Sequence, residues 1–446
     1  MVQPLFLCKI LNRSDIKTQD PTWRPNSMIP FINQAQENVI HHSPYRRPVS
    51  TPQYKPHPTE TMKAALWMGT RKIEINEVAK PSITEPADAI VHITHTTICG
   101  SDLNIYEGDL DRSMRKGAIM GHEAIGFVEE IGSAVSRLQV GDRVIILPII
   151  ACGKCRYCEK QQYSLCDATN SSKEMNSKYG HRISGILGSS NLMGGYSGDQ
   201  AEYCRVPNAD LTCIKASNDI APKKLLGLAD VTTTAWHGCE LAEVGKGDIV
   251  GVWGCGPVGL SIQRLAKLRG ASKVFAVDKD QTRLQIAKSF GMVPVDVAAH
   301  PNVSDYILSL QPHGLDCGIE ASGFRSTNTP KHAAMRYLKA ESDSGDTVHA
   351  VLKSTRKGGH IALIGDFFWG TNDFPIGMLM EKGITVRGGQ HFAQKVSLPF
   401  CFRAGDQANV RFCAKYYPHL LNLVVEGKYD PSWMFTYDGE SVVQLL

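Results

Sequence analysis

Four cysteines, Cys152, Cys155, Cys158 and Cys166, fall in the run ACGKCRYCEKQQYSLCD with the spacing C-x2-C-x2-C-x7-C. Thiolates this close can close a tetrahedron around one Zn²⁺ and leave no position for water, so such a site holds a loop together. Lys154, Arg156, Glu159 and Lys160 mark the loop as exposed, and flanking cations favour the thiolate form. A second set is spread over two separate runs. Cys99 opens the run Cys99-Gly100-Ser101-Asp102, and Gly121-His122-Glu123 follows downstream. Cysteine and neutral histidine are ordinary zinc ligands, and a catalytic site needs three protein ligands and one open position. Judged by spacing alone, a histidine beside a glutamate is more commonly a surface or core pair than a ligand.

A third pattern belongs to phosphate chemistry. Gly254-Cys255-Gly256-Pro257-Val258-Gly259 follows the strand-like IVGVW and opens a helical stretch. The glycines let the backbone approach a pyrophosphate, which then sits on the helix N-terminus. Asp278 ends the next strand-like run, at about the 20-residue separation this fingerprint expects. Its carboxylate can accept hydrogen bonds from an adenosine ribose and would repel a 2′-phosphate. NAD is therefore expected over NADP, although the nearby cations Lys279 and Arg283 work against that preference.

The elements that must carry these residues change character along the chain. Residues 1–60 are proline-rich and polar, without sustained periodicity, and read as a disordered leader or a targeting segment. Asp15, Asp20 and Glu37 weaken the second reading, because transit peptides avoid acids. Order is expected from about Met62. AALWMG, IVHITHTTI and RVIILPII have strand composition and are broken by Gly, Pro and Asp, which predicts a β-rich region to about residue 230. From there strand-like and helical runs alternate, as in IVGVWG, PVGLSIQRLAKLRG and KVFAVD. That pattern predicts βαβ units and a parallel sheet.

The bulk numbers fit a globular protein of more than one domain. The 446 residues are 42% hydrophobic and 21% charged, with a net charge of +4. No nucleic-acid partner is expected from so small a charge. No membrane span is expected either, since the longest apolar runs, such as Val144–Ile150, are too short. Thirteen cysteines without a secretory signal argue for a reducing compartment and for metal binding. A cytoplasmic location is expected, or a mitochondrial one if residues 1–60 are a targeting segment.

The combined motifs resemble a known family. Gly121-His122-Glu123-x2-Gly126-x5-Gly132-x2-Val135 is similar to the zinc signature of the medium-chain alcohol dehydrogenases. The four-cysteine loop and glycine-rich turn follow in that family's order. The resemblance covers roughly residues 62–394 and parts of 414–437. Gly194-Gly195-Tyr196-Ser197-Gly198-Asp199-Gln200-Ala201-Glu202-Tyr203, Val206-Pro207 and Leu228-Ala229-Asp230 with Thr234 and His237 resemble its glutathione-independent formaldehyde dehydrogenase branch. The fold implied is α/β, a β-rich GroES-like catalytic domain (61–232) and a Rossmann-type doubly wound domain (233–390). Residues 391–446 would return to the catalytic domain.

The resemblance also implies two zinc ions per chain, NAD, a small alcohol or aldehyde as substrate, and a homo-oligomer, dimer or tetramer. By position Asp230 becomes the third ligand of the catalytic zinc, beside Cys99 and His122. Read from residues alone it would be a helix N-cap. Glu123 would tune the metal without binding it, Ser101 would take the substrate's proton, and Thr234 would pack on the nicotinamide. A polyol or amino-alcohol dehydrogenase, or an inactive zinc- and NAD-binding remnant, are the alternatives. Asn104 stands where many relatives have a histidine, so proton exit is expected through Ser101 and water. Residues 397–412 look inserted, and the chain looks short at its C-terminus.

Overall fold

The computed structural model describes residues 51–326, 343–392 and 416–435, with short stretches at 334–335, 337, 396–397 and 413–414. In chain order the first strands are β1 (Lys55–Gly69), β2 (Lys72–Ser82), β3 (Ala89–Thr96), β4 (Ala118–Ile119) and β5 (Ala124–Ile131). Then come β6 (Arg143–Ile146), β7 (Ile149–Ile150), β8 (Gly185–Ile186), β9 (Tyr203–Val206) and β10 (Cys213–Lys215). They form a sheet in the order β10-β6-β5-β3-β9, a smaller sheet β2-β1-β4 and the pair β7-β8. Alternation along β3 turns Ala89, Val91 and Ile93 onto Ala124, Val128, Val144 and Ile146, as a half-buried pleat requires. Gly126 is needed where β5 crosses β3, since a Cβ there would lie 2.1 Å from the His92 carbonyl oxygen.

A parallel sheet follows, built from β11 (Ile249–Trp253), β12 (Lys273–Asp278), β13 (Val293–Asp296), β14 (Leu315–Glu320), β15 (Thr355–Leu363) and β16 (Thr385–Gly388). The order is β13-β12-β11-β14-β15-β16. The chain starts in the middle, runs outward to β13, then returns to lie beside β11. That reversal opens a crevice at the carboxyl ends of β11 and β14, where ligands of doubly wound sheets bind. The strands are apolar and buried through most of their length, as expected when helices cover both faces. Helices Val231–Leu241 and Pro257–Leu268 share a core with Leu420 and Val424 of helix Tyr417–Val425. Ile125 and Ile145 of the β-rich part join the same core.

Order begins earlier than Met62. β1 starts at Lys55, and the preceding residues are held by the buried guanidinium of Arg205, which donates to the carbonyls of Thr51 and Gln53. The polar stretch is ordered by pairing with β2 and by this cation, not by burial of apolar side chains. Residues 1–50 lie outside the described residues. So does most of the stretch read as inserted, but its ends are joined. β17 (Val396–Ser397) and β18 (Cys413–Ala414) pair antiparallel, with Ser397 opposite Cys413. The C-terminal residues 436–446 lie outside the description too. No described helix is long and apolar enough to cross a membrane.

The segment leading into Asp230 is fastened by one side chain. Arg143 on β6 is buried, and its Nη1 donates to the carbonyls of Ser217, Asn218 and Ile220 at 3.1, 3.3 and 2.9 Å. Replacing it with Met strands three acceptors. Arg143→Met should lower unfolding free energy by about 2–3 kcal/mol, measured by urea titration, and an unchanged midpoint would show that the clamp carries no stability.

Candidate active site

One cleft, with a cavity of about 740 Å³, brings together two of the three patterns read from sequence. Cys99, Ser101, Asn104, Glu123, Asp230 and Thr234 line it from one side. Gly254, Gly256, Pro257, Val258, Asp278 and Arg283 line it from the other. Gly259 lies behind, within the turn.

The metal-type cluster is assembled from three separate elements. Cys99 precedes helix Gly100–Tyr106, His122 and Glu123 sit between β4 and β5, and Asp230 precedes helix Val231–Leu241. Their ligand atoms all lie within 4.8 Å of one another. A thiol, an imidazole and carboxylates so close form a donor set that suits zinc. Asp230 occupies the N-cap position, but its side chain accepts no capping N–H. Instead Oδ1 accepts from Thr234 Oγ1 and faces His391 Nε2 at 3.1 Å, while Oδ2 faces His122 Nε2 at 3.6 Å. Glu123 is tethered by the Thr97 hydroxyl at Oε2. Its Oε1 is buried and, among the described residues, has no hydrogen-bond partner.

His122 is oriented from behind. Its Nδ1 lies 3.5 Å from Asp102 Oδ1, and its Nε2 turns toward Asp230 and toward Ser101 Oγ at 3.4 Å. Burial opposes a charged imidazole, yet Asp102 outweighs it and holds the pKa well above the ordinary histidine value. Burial likewise opposes ionisation of Asp230, but His391, His122 and the Thr234 hydroxyl keep its carboxyl far below the usual range. Glu123 is pushed up to about 8, first by burial and then by the charge of Asp230. Burial and Glu123 also raise the Cys99 thiol.

The four-cysteine loop forms a separate closed cluster. Cys152, Cys155, Cys158 and Cys166 are buried, with Sγ atoms within 4.8 Å of one another, while Lys154, Arg156, Glu159 and Lys160 between them are exposed. The Cys152 sulfur accepts the N–H groups of Lys154 at 3.4 Å and Cys155 at 3.3 Å, and Cys166 accepts that of Cys152 at 3.4 Å. Cys152 and Cys158 are 3.9 Å apart, too far for a disulfide at about 2.05 Å. Neighbouring thiols hold Cys152 well below the ordinary thiol range. Four sulfurs with converging N–H donors fit a tetrahedral zinc.

The glycine-rich turn has the shape a pyrophosphate needs. Gly254 takes φ +101°, and a Cβ on Gly259 would lie 1.9 Å from the Gly254 carbonyl oxygen. Around Gly256 nothing lies within 4 Å of such a Cβ, so its face is open. Pro257 starts the helix at a position where its missing N–H costs nothing. Asp278 is fixed by the N–H groups of Cys255 at 2.6 Å, Lys279 at 2.7 Å and Asp280 at 2.9 Å. Lys279 and Arg283 are exposed beside it.

Several members of the site were not assigned from sequence. Asp102 was part of a quoted motif, and its place three residues beyond Cys99 was the available signal. The Gly194–Tyr203 run also acquires a physical role. Asp199 N–H donates to the Gly121 carbonyl at 3.1 Å, and Gln200 Nε2 donates to Thr97 O at 3.0 Å and Asp102 Oδ2 at 3.2 Å. His391 and Asp366 come from distant stretches with no spacing signal.

The comparisons with known proteins agree with this geometry. Residues 85–217 match the alcohol dehydrogenase GroES-like domain. A zinc-type alcohol dehydrogenase-like protein of Schizosaccharomyces pombe is 39% identical over 91% of this chain and 92% of its own. A glutathione-independent formaldehyde dehydrogenase of Pseudomonas aeruginosa is 31% identical over 68% of this chain and 74% of its own. The solved alcohol dehydrogenase TADH of Thermus sp. ATN1 superposes with a TM-score of 0.68 at 28% identity, over 84% of this chain and 92% of that one. With its paired GroES-like and doubly wound parts, its thiol clusters and these relatives, the chain belongs to the zinc-type alcohol dehydrogenase family.

Proposed function

We propose that this protein transfers a hydride between a small alcohol or aldehyde, or an aldehyde hydrate, and NAD, with zinc in the cleft. The observation that carries this reading is that one cavity borders both the Cys99–His122–Asp230 cluster and the Gly254–Gly259 turn with Asp278. When bound, zinc polarises the substrate oxygen as a Lewis acid and the nicotinamide takes the hydride.

The side chains supply the rest. Cys99, His122 and Asp230 would hold the metal, and Asp102 holds the His122 ring by Nδ1 so that Nε2 points toward Asp230. Glu123, held by Thr97, tunes the site from beside it. Ser101 lies close enough to the cluster to take the substrate's proton. Thr234 follows Asp230 by one turn and faces the same cleft, where it borders the nicotinamide. The open face of Gly256 admits the pyrophosphate, with Gly254, Pro257, Val258 and Gly259 shaping the turn. Asp278 meets the adenosine ribose, with Arg283 at the rim. The four-cysteine zinc stiffens its loop and takes no part in the reaction. In this reading residues 61–232 and 391–446 form the catalytic part and 233–390 the nucleotide part.

Exposed Ile376 and Met380, in the helix just before the edge strand β16, support a homo-oligomer. The free, clustered thiols favour a reducing compartment such as the cytoplasm.

Metal analysis of the purified protein should find two zinc ions per chain. Cys155→Ser should lose one and lower thermal stability. Asp230→Asn should lose the other with nearly all activity, while Glu123→Gln keeps both. If Asp230→Asn keeps two zinc ions and Glu123→Gln loses one, the ligand assignment is wrong.

Coenzyme choice is tested separately. Asp278→Ala should lower the NAD:NADP ratio of kcat/KM by at least about tenfold, equivalent to ~1.4 kcal/mol. Equal use of both coenzymes by the unmodified enzyme would show that Lys279 and Arg283 override the carboxylate.

A further inference from the structure

Asn104 lies three residues beyond Ser101 on helix Gly100–Tyr106, and its Nδ2 donates to Asp366 Oδ2 at 3.2 Å. Asp366 follows β15, so its carboxyl reaches the cleft from the carboxyl end of the parallel sheet. Asp366, Asn104, Ser101, Cys99 and Asp230 border the same cavity. Asp366 lines the cleft, and among the described residues Asn104 gives its carboxyl one side-chain hydrogen bond, at Oδ2, while Oδ1 makes none. The backbone around it is pinned, since Phe324 N–H donates to the Asp366 carbonyl at 2.8 Å. A fixed carboxylate with one oxygen held and one free is placed to receive something from the cleft.

Its electrostatic surroundings suit a proton. Burial, then the charge of Asp230, raises the carboxyl to about 6, against the opposing effects of His122 and the Asn104 amide. The other charged groups nearby are occupied. Arg325, on the loop after β14, is ion-paired with Asp109. Glu320, behind Gly365, is engaged by Ser322 and Gly323, and burial raises its pKa. A base whose pKa lies near the working pH is an effective acceptor.

We propose that Asp366 is the terminal proton acceptor of alcohol oxidation, oriented by Asn104 and supplied through Ser101 and cleft water. This rests on the dehydrogenase reading above. The substrate's C–H bond breaks with its electron pair, which passes to NAD as hydride. Its O–H bond breaks toward Ser101, whose own proton moves on through water. An O–H bond forms on Asp366, and the carboxyl then releases that proton to solvent. In the reducing direction the same steps run backward. Asn104 cannot titrate and acts as a positioning residue.

Asp366→Asn in the zinc-loaded enzyme tests this. Zinc content should not change, KM for the alcohol should stay within about twofold, and kcat near neutral pH should fall on the order of 10²-fold. The wild-type kcat should fall at acid pH, when the acceptor is already protonated, and Asp366→Asn should lose that limb. Added imidazole, or Asn104→His in the Asp366→Asn background, should restore turnover. Independently of turnover, ¹³C-carboxyl NMR should show a carboxyl titrating above the ordinary aspartate range that is absent from Asp366→Asn. An active wild type with unchanged kcat in Asp366→Asn, a loss confined to KM or zinc, or no such resonance overturns the assignment. A zinc-loaded wild type that oxidises no alcohol or aldehyde overturns the dehydrogenase reading itself, and the proposal with it.

Discussion

Cys99, His122, Glu123 and Asp230 place four ionisable groups within 4.8 Å of one another at the base of a cleft. Charges this close and this far from water repel, or lose hydration, unless something of opposite sign holds them. Among themselves they do so only in part. Burial pushes Glu123 to about 8, while histidines on either side hold Asp230 ionised. A divalent cation resolves the conflict, because it neutralises thiolate and carboxylate together. The constraint of gathering these groups shapes much of the surrounding structure.

None of the three anchoring elements could place its member of the cluster alone. The turn at Gly121 takes φ +97°, and a Cβ there would lie 2.5 Å from Asp199 Oδ1. Asp199 and Gln200 therefore press directly against the strand of chain that carries His122. Gln200 ties Thr97 to Asp102, and Thr97 ties back to Glu123. Asp230 is placed by the segment that Arg143 fastens, and His391 reaches it from beyond the parallel sheet. A cluster drawn from such distant positions is rigid only because each carrier is hydrogen-bonded to the next.

The sequence announced the parts of this design whose residues are close neighbours. The four-cysteine spacing, the Gly254–Gly259 turn and Asp278 depend on geometry within one loop or one βαβ unit, so their register survives in the linear string. Alternating strand and helix patterns announced the parallel sheet for the same reason. Asp230 needed family resemblance, because from its neighbours alone it is a helix cap, and the structure shows the cap position filled by a side chain that points elsewhere. Asp102, His391 and Asp366 act across folded distances, and no local period marks them. The early start of β1 was hidden because backbone pairing with β2, and a buried arginine on the residues just before it, not an apolar face, hold that polar stretch.

The short β17–β18 pairing has an evolutionary consequence. Ser397 and Cys413 are cross-strand partners, so two positions well apart in sequence are held side by side. For any chain closed between fixed ends, the entropic cost of closure grows only with the logarithm of its length. Residues can therefore be gained or lost between these positions at little thermodynamic expense. Helix Tyr417–Val425, which joins the shared core, begins just beyond this pair. Among the described residues, none between these positions lines the cleft, so a change of length there leaves its lining untouched.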